Sequence, residues 1–386
     1  MLVYYVVGLA VVAVLALDQL IRRRSVIYSA EYSTRFASVT TAAPTPERRP
    51  GPRPRPRSLK AASGFAFVVV GAILVAFSGL RYGIGTDYHL YVALYSQISP
   101  ASLVASLEQV PQDIGYVALS FVLKKLGYDA YALFWASALL AVVPLMVALY
   151  RMSGNPAASL FVYYFLGLHV LSFNAIRQSI AVAFLLLADT YREESRSKWL
   201  LFSAIAAFFH ISALVVFVIQ FLLSFWKPTP LTVVAVLTLS GLIATVLLQT
   251  EIVNEIAGSL NERYQEHLAA NEGAGIGTSL TLLLRLVIII MIIRFISTKT
   301  ERRYLAFVVG SAAVLVLALS NSLMGRFDSY FSIYLVFLVP MVLGKERVKG
   351  WYKALIYGAL FVYFGFYVSN YNDVNPYVLL PELGGG

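Results

Sequence analysis

Apolar positions along this chain gather into long unbroken runs, with none of the short alternation that marks a half-buried sheet. The runs fall at about 2–20, 64–80, 130–150, 156–173, 175–191, 199–209, 211–226, 229–249, 278–297, 303–321, 327–343 and 351–368. Most are roughly 17–22 residues long, enough for a helix to cross a hydrocarbon core of about 30 Å. The pattern predicts an all-α fold, a polytopic transmembrane helical bundle of about twelve spans. Polar stretches divide it into a first transmembrane helix (1–20), a basic Pro/Arg-rich cytoplasmic linker (21–63), a membrane-embedded core (64–370) and an outer-face tail (371–386). Outer loops at 81–129 and 250–277 are long enough to carry short helices, one of them amphipathic near Val117–Leu126.

The first run has no basic residue ahead of it and no small-residue cleavage pattern behind it. It therefore reads as a true span whose basic end, Arg22-Arg23-Arg24, stays in the cytoplasm. The linker alternates prolines with arginines, as in Pro50, Pro52, Pro54 and Pro56, and is too polar to fold alone.

Charge orients the spans. Basic residues such as Arg151, Arg192, Lys299 and Lys345 fall in alternate loops, which the positive-inside rule places in the cytoplasm. The intervening outer loops hold acids, among them Glu108, Asp113, Glu251 and Glu262. Trp199–Trp226 tests this topology. As one long span it would invert everything downstream, so two short helices meeting at His210 on the outer side fit better.

Composition closes off other classes. The chain is 59% hydrophobic and only 13% charged, where a soluble domain carries about 25% charged residues. Its net charge of +10 is largely topological, so nucleic acid is not an expected partner. The absence of cysteine excludes disulfides, thiolate metal sites and cysteine nucleophiles. Four histidines show no metal-ligand spacing, and neither a nucleotide-binding glycine loop nor a Ser/His/Asp motif is present.

On this topology the unusual polar residues share one level, the outer membrane boundary. Arg81 ends the second span, in Gly79-Leu80-Arg81-Tyr82-Gly83-Ile84-Gly85-Thr86-Asp87-Tyr88. Asn174, Arg177 and Gln178 open the fifth, His210 sits at a hairpin tip, and Arg263 and Tyr264 lie in the second loop. Arg326, Asp328 and Tyr330 open a later span. Arginines gathered at one depth repel unless an anion sits among them, and guanidinium forks match phosphate oxygens. The cluster therefore points to a phosphate or diphosphate head group with its tail in lipid, aided by the helix N-termini at Arg177 and Arg326. Arg285, inside a span, is either paired within the bundle or a floor to the cavity.

The succession Arg81…Gly85-Thr86-Asp87-Tyr88, Asp113-Ile114-Gly115-Tyr116, Asn174…Arg177-Gln178…Ala181, Phe209-His210…Ala213 and Arg326…Tyr330 resembles the EpsG family. These are Wzy-like polymerases of bacterial exopolysaccharide and O-antigen. The resemblance covers about residues 64 to 370 and implies a GT-C-like glycosyltransferase of the bacterial inner membrane. Such an enzyme joins undecaprenyl-diphosphate-linked glycans on the outer face without metal, nucleotide or other cofactor. Membrane lipids and a chain-length regulator are the further partners expected. It implies that Arg81, Arg177, Arg263 and Arg326 hold a diphosphate, and that Tyr88, Asn174, Gln178, Tyr264 and Tyr330 bind diphosphate or glycan. Asp87 or His210 is then the candidate base for the acceptor hydroxyl. An O-antigen ligase would need the same diphosphate grip, and a lipid-linked sugar flippase would need a polar path through the bundle.

Overall fold

The structure, a computed structural model, describes residues 1–40, 62–246, 275–320, 322–370 and 374–379. Every regular element among them is helical. Four helical segments are long and apolar enough to cross a membrane: Leu2–Arg24, Ala130–Met152, Ile276–Phe295 and Gly350–Asn370. Shorter apolar helices pack between them, and large side chains such as Phe65, Leu231, Ile290 and Val362 are exposed around the outside. A contiguous apolar exterior of this kind suits lipid and not water. The chain is a membrane protein.

In chain order the first helices are α1 (Leu2–Thr40), α2 (Gly64–Gly79), α3 (Tyr88–Gln97), α4 (Leu103–Gln109), α5 (Ile114–Lys125) and α6 (Ala130–Met152). Then come α7 (Pro156–Phe165), α8 (Leu168–Leu171), α9 (Ile176–Thr190), α10 (Arg196–Phe209), α11 (Ser212–Leu223) and α12 (Pro230–Val246). Beyond residue 274 follow α13 (Ile276–Ile292), α14 (Lys299–Ala318), α15 (Ser322–Gly325), α16 (Asp328–Ser332), α17 (Leu335–Leu343) and α18 (Gly350–Asn370). The helix opened by the first run does not stop at residue 20, because α1 continues through the basic triad to Thr40. Most of the linker, residues 41–61, lies outside the described residues.

Burial sorts the helices into layers. In α6, 61% of the apolar window is buried, against 22% in the first helix and 28% in α13 and α18. Helix α9 packs between α6 and α10 and buries most of its side chains, so it is a rigid post at the centre of the first half. Polar ties gather the helix ends into two sets. At one end, Asp18 receives Ser63 N–H and Oγ–H, both at 2.6 Å, and Arg151 reaches Thr190 at 3.1 Å. Arg303 reaches Asp189 at 3.2 Å, and Lys345 donates to Phe295 O at 2.7 Å. At the other end, Tyr82 N–H donates to Val378 O at 2.9 Å and Tyr377 Oη–H to Phe77 O at 2.5 Å.

The two short helices expected at His210 are present. Residue 210 is extended (φ −156°, ψ 111°) and separates α10 from α11. The two then run antiparallel, with the Trp199 and Phe217 rings tilted against each other at 4.9 Å.

The first outer loop holds more order than its sequence pattern suggested. It forms three helices, α3 to α5, around a second apolar core of Tyr88, Tyr91, Tyr95, Tyr116 and Val117. This core continues into Phe134 of α6, Ile176 and Ile180 of α9 and Phe209 of α10. Lys124 caps the end of α3 through the carbonyls of Tyr95 (3.2 Å) and Ser96 (2.7 Å). Through Ile176 and Ile180 the same core packs this sub-bundle against the start of α9.

Candidate functional site

The close packing of two backbones creates the site. Gly115, in the first turn of α5, lies against the end of α10. A Cβ there would stand 2.8 Å from Phe208 O and 2.9 Å from Phe209 Cα. Only a residue without a side chain permits this approach. It brings Asp113, just ahead of α5, to the turn between α10 and α11.

Asp113 is the hub. Its Oδ2 accepts from His210 Nδ1 at 2.9 Å and from Arg177 Nη1, while Oδ1 accepts from Ile211 N–H at 3.1 Å. Burial alone would raise this carboxyl. The His210 hydrogen bond, the Arg177 charge and the Ile211 amide outweigh it and hold the group below the usual carboxylate range. Asp113 is thus an ionised, acceptor-only partner, so His210 presents Nδ1–H to it and a neutral ring keeps its lone pair on Nε2. His210 and Arg177 side chains are 23% and 25% exposed, whereas Asp113 is 10% exposed. The working groups are open and their anchor is enclosed.

Around this centre stand residues from three further segments. The Tyr91 hydroxyl lies within electrostatic reach of both Arg177 and Asp87, the latter at the head of α3. Gln178 Nε2 donates to Arg326 O and, at 2.8 Å, to Ser329 Oγ. Tyr330, buried in α16, pairs its hydroxyl with Ser212 at 3.2 Å and feels both Asp113 and Arg177. The Arg326 guanidinium is exposed and makes no ion pair among the described residues.

The arginine cluster expected from the sequence is therefore divided. Arg177 lies at the Asp113 centre, and the main chain of Arg326 is tied to it through Gln178. Arg81 is enclosed behind it, 2% exposed, its guanidinium 4.9 Å from the Phe134 ring centroid and 4.7 Å from that of Phe173. It donates to Ser78 O at 2.5 Å and to Phe173 O at 3.5 Å. In this conformation it has no surface to offer a ligand, because aromatic rings and main-chain carbonyls already surround the charge. Tyr88 is likewise buried, stacked on Phe134 at 4.5 Å. Asn174 is buried against the opening glycine stretch: a Cβ on Gly85 (φ +96°) would fall 2.3 Å from its Oδ1. These three residues build the wall from which α9 starts. Arg263 and Tyr264 lie outside the described residues.

Sequence reading missed Asp113, Tyr91, Ser212 and Ser329 as site residues. Asp113 carried a signal, standing two residues before a glycine at the head of an amphipathic helix. The serines carried none.

Chemically the arrangement offers a carboxylate-oriented imidazole beside a fixed guanidinium, while Gln178, next to Arg177, holds the main chain of Arg326, an exposed residue. That set can remove a proton at Nε2 while holding an anion. The model of the EpsG family matches residues 64–381. No curated protein and no solved structure matches.

Proposed function

The chain belongs to the EpsG family, and from that premise we propose that it is a glycosyltransferase polymerising undecaprenyl-diphosphate-linked repeat units on the outer face of the bacterial inner membrane. The observation that carries this reading is the Asp113–His210–Arg177 centre with exposed Arg326 beside it. In this reading the chain makes about twelve crossings in a GT-C-like bundle, and the gathering of Arg151, Arg303 and Lys345 at the end away from Asp113 supports taking that end as cytoplasmic.

In the proposed step, the acceptor sugar hydroxyl gives its proton to His210 Nε2 as its oxygen attacks the anomeric carbon of the donor. The bond from that carbon to the diphosphate oxygen breaks, and the electron pair leaves with the diphosphate. Arg177 and Arg326 bind that charge as it develops, and the proton on His210 passes to water. Asp113 stays ionised throughout, fixing the imidazole tautomer and stabilising the cation that forms. Asp87, at the head of α3, is assigned to orienting the acceptor glycan. No cofactor enters the step. Membrane lipid carries both substrates, and a chain-length regulator is the protein partner that suits such a polymerase.

Incubation of the purified protein with lipid-linked repeat units tests the reading. A ladder of longer lipid-linked glycans, formed without nucleotide, is expected. Transfer only to a different lipid would make the protein a ligase, and transbilayer movement without new glycosidic bonds would make it a flippase.

A further inference from the structure

One charged pair inside the bundle takes no part in that chemistry. Arg285 lies in the apolar helix α13 and is 2% exposed. Its Nη2 reaches Asp328 Oδ2 at 3.3 Å, and Ser311 Oγ donates to the other carboxylate oxygen. Arg285 Nε and Nη1 are buried with no hydrogen-bond partner among the described residues. A charge pair in such a place contributes less stability than apolar side chains of similar volume. An ionisable residue within a span calls for a role beyond packing.

The geometry supplies one. Asp328 is the first residue of α16, which leads through Ile333 and Tyr334 into α17, so the ion pair sits at the head of the Asp328–Leu343 helical segment. The next two residues, Ser329 and Tyr330, meet Gln178 and Ser212, and Arg326 precedes Asp328 by two positions. Gln220 Nε2 also donates to Tyr330 O at 2.8 Å. The short helix is thus gripped on its Asp328 side by Arg285 and Ser311, and on its other side by the site itself.

We propose that Arg285 is a positioning residue: acting through Asp328, it sets the place of α16 and hence of Tyr330 and Arg326 at the Asp113 centre. Its kinetic consequence rests on the polymerase reading, whereas its structural consequence does not.

The test compares the full-length wild type with R285M, D328N and the double variant R285M/D328N. Each single change leaves one buried charge without a partner and lowers protein levels. The double variant removes both charges and recovers the wild-type level. Hydrogen exchange is read over residues 326–334, with residues 88–97 as internal reference, and kcat/KM is measured on lipid-linked repeat units. The expected result in the double variant is exchange at least ten-fold faster over 326–334, unchanged over 88–97, with kcat/KM at least ten-fold lower. Wild-type exchange over 326–334, or wild-type kcat/KM, overturns the proposal. A wild type that forms no polymer sinks the polymerase reading alone, and the exchange comparison then decides this one. If the double variant does not accumulate, R285K replaces it. Its single ammonium cannot reproduce the guanidinium geometry, so exchange over 326–334 rises at least three-fold, and no rise overturns the proposal.

Discussion

Asp113 accepts a hydrogen bond from His210 Nδ1 at 2.9 Å, across ninety-seven positions of sequence, and the same oxygen accepts from Arg177. One carboxylate therefore orients a base and anchors a cation. Asp113→Asn keeps the shape but loses the charge, and its amide can turn a donor toward Arg177. Polymer formation is expected to fall by about 10²-fold or more, the range associated with a lost general base. Stability should fall by about 1.5–3 kcal/mol, as for a lost hydrogen bond to a charged group. Gel analysis of lipid-linked products and thermal unfolding in detergent read the two effects separately. Wild-type chain lengths from the variant would remove Asp113 from the site.

The depressed Asp113 carboxyl makes a pH prediction whose sign follows from linkage. Its folded-state value lies below that of an unfolded aspartate, about 3.9, so the unfolded chain binds the proton more readily. The stabilisation is complete above that unfolded value and is lost as pH falls through the folded one. Thermal unfolding from pH 6 down to pH 3 should show a loss that the Asp113→Asn variant lacks. Equal slopes in both proteins over this interval would contradict it.

Gly115 offers a test in which no charged group is touched. The Cβ of Gly115→Ala would meet main-chain atoms of Phe208 and Phe209 at under 3 Å, and neither can swing aside as a side-chain tip would. Helix α5 must retreat from α10, carrying Asp113 away from His210. Activity should approach that of the Asp113 variants. Gly154→Ala, at an exposed glycine with open space around it, should change stability by no more than about 0.5 kcal/mol. Equal behaviour of the two alanine variants would show that the close approach is dispensable.

Much of this was written in the chain and some of it was not. The apolar runs gave the helices, and the basic loops located the break at His210 that α10 and α11 display. Arg177, Gln178, His210, Arg326 and Tyr330 stood out as candidates because polar groups are conspicuous in an apolar sequence. The partners did not. Asp113 looked like one outer acid among several, since its meeting with Arg177 depends on how α5 packs against α10, and periodicity carries no such information. Tyr88, Tyr91 and Tyr95 follow helical spacing and are buried in the core that α3 to α5 form. Arg81 shows the converse limit: its sequence position at a span end gave no hint that Phe134 and Phe173 enclose it.

Orientation is open to direct chemistry because the chain lacks cysteine. Single cysteines at Ser212 and Arg326 should react with a membrane-impermeant thiol reagent from outside. A cysteine at Ser297, beside Lys345 at the other end, should react only after permeabilisation. Outside labelling at 297, or inside-only labelling at 212 and 326, would invert the bundle and place the site in the cytoplasm.

Arg326 separates function from folding most sharply. Its main-chain carbonyl is held by Gln178, while its guanidinium is exposed and makes no ion pair among the described residues. Removing an exposed, unpaired side chain leaves stability within about 0.5 kcal/mol. If that guanidinium holds leaving-group charge, Arg326→Ala should lower kcat/KM by about 10²-fold, the cost of one preorganised donor. Arg326→Lys should recover part of this, since an ammonium supplies charge without the bidentate fork. Arg81→Ala should behave in the opposite way. It empties a buried cleft between two aromatic rings and should lower unfolding temperature and protein level before it alters chemistry. Loss of activity in Arg326→Ala at unchanged unfolding temperature would thus mark a residue that meets substrate. Unchanged kcat/KM would leave Arg177 as the lone guanidinium at the centre and require the diphosphate to be held elsewhere.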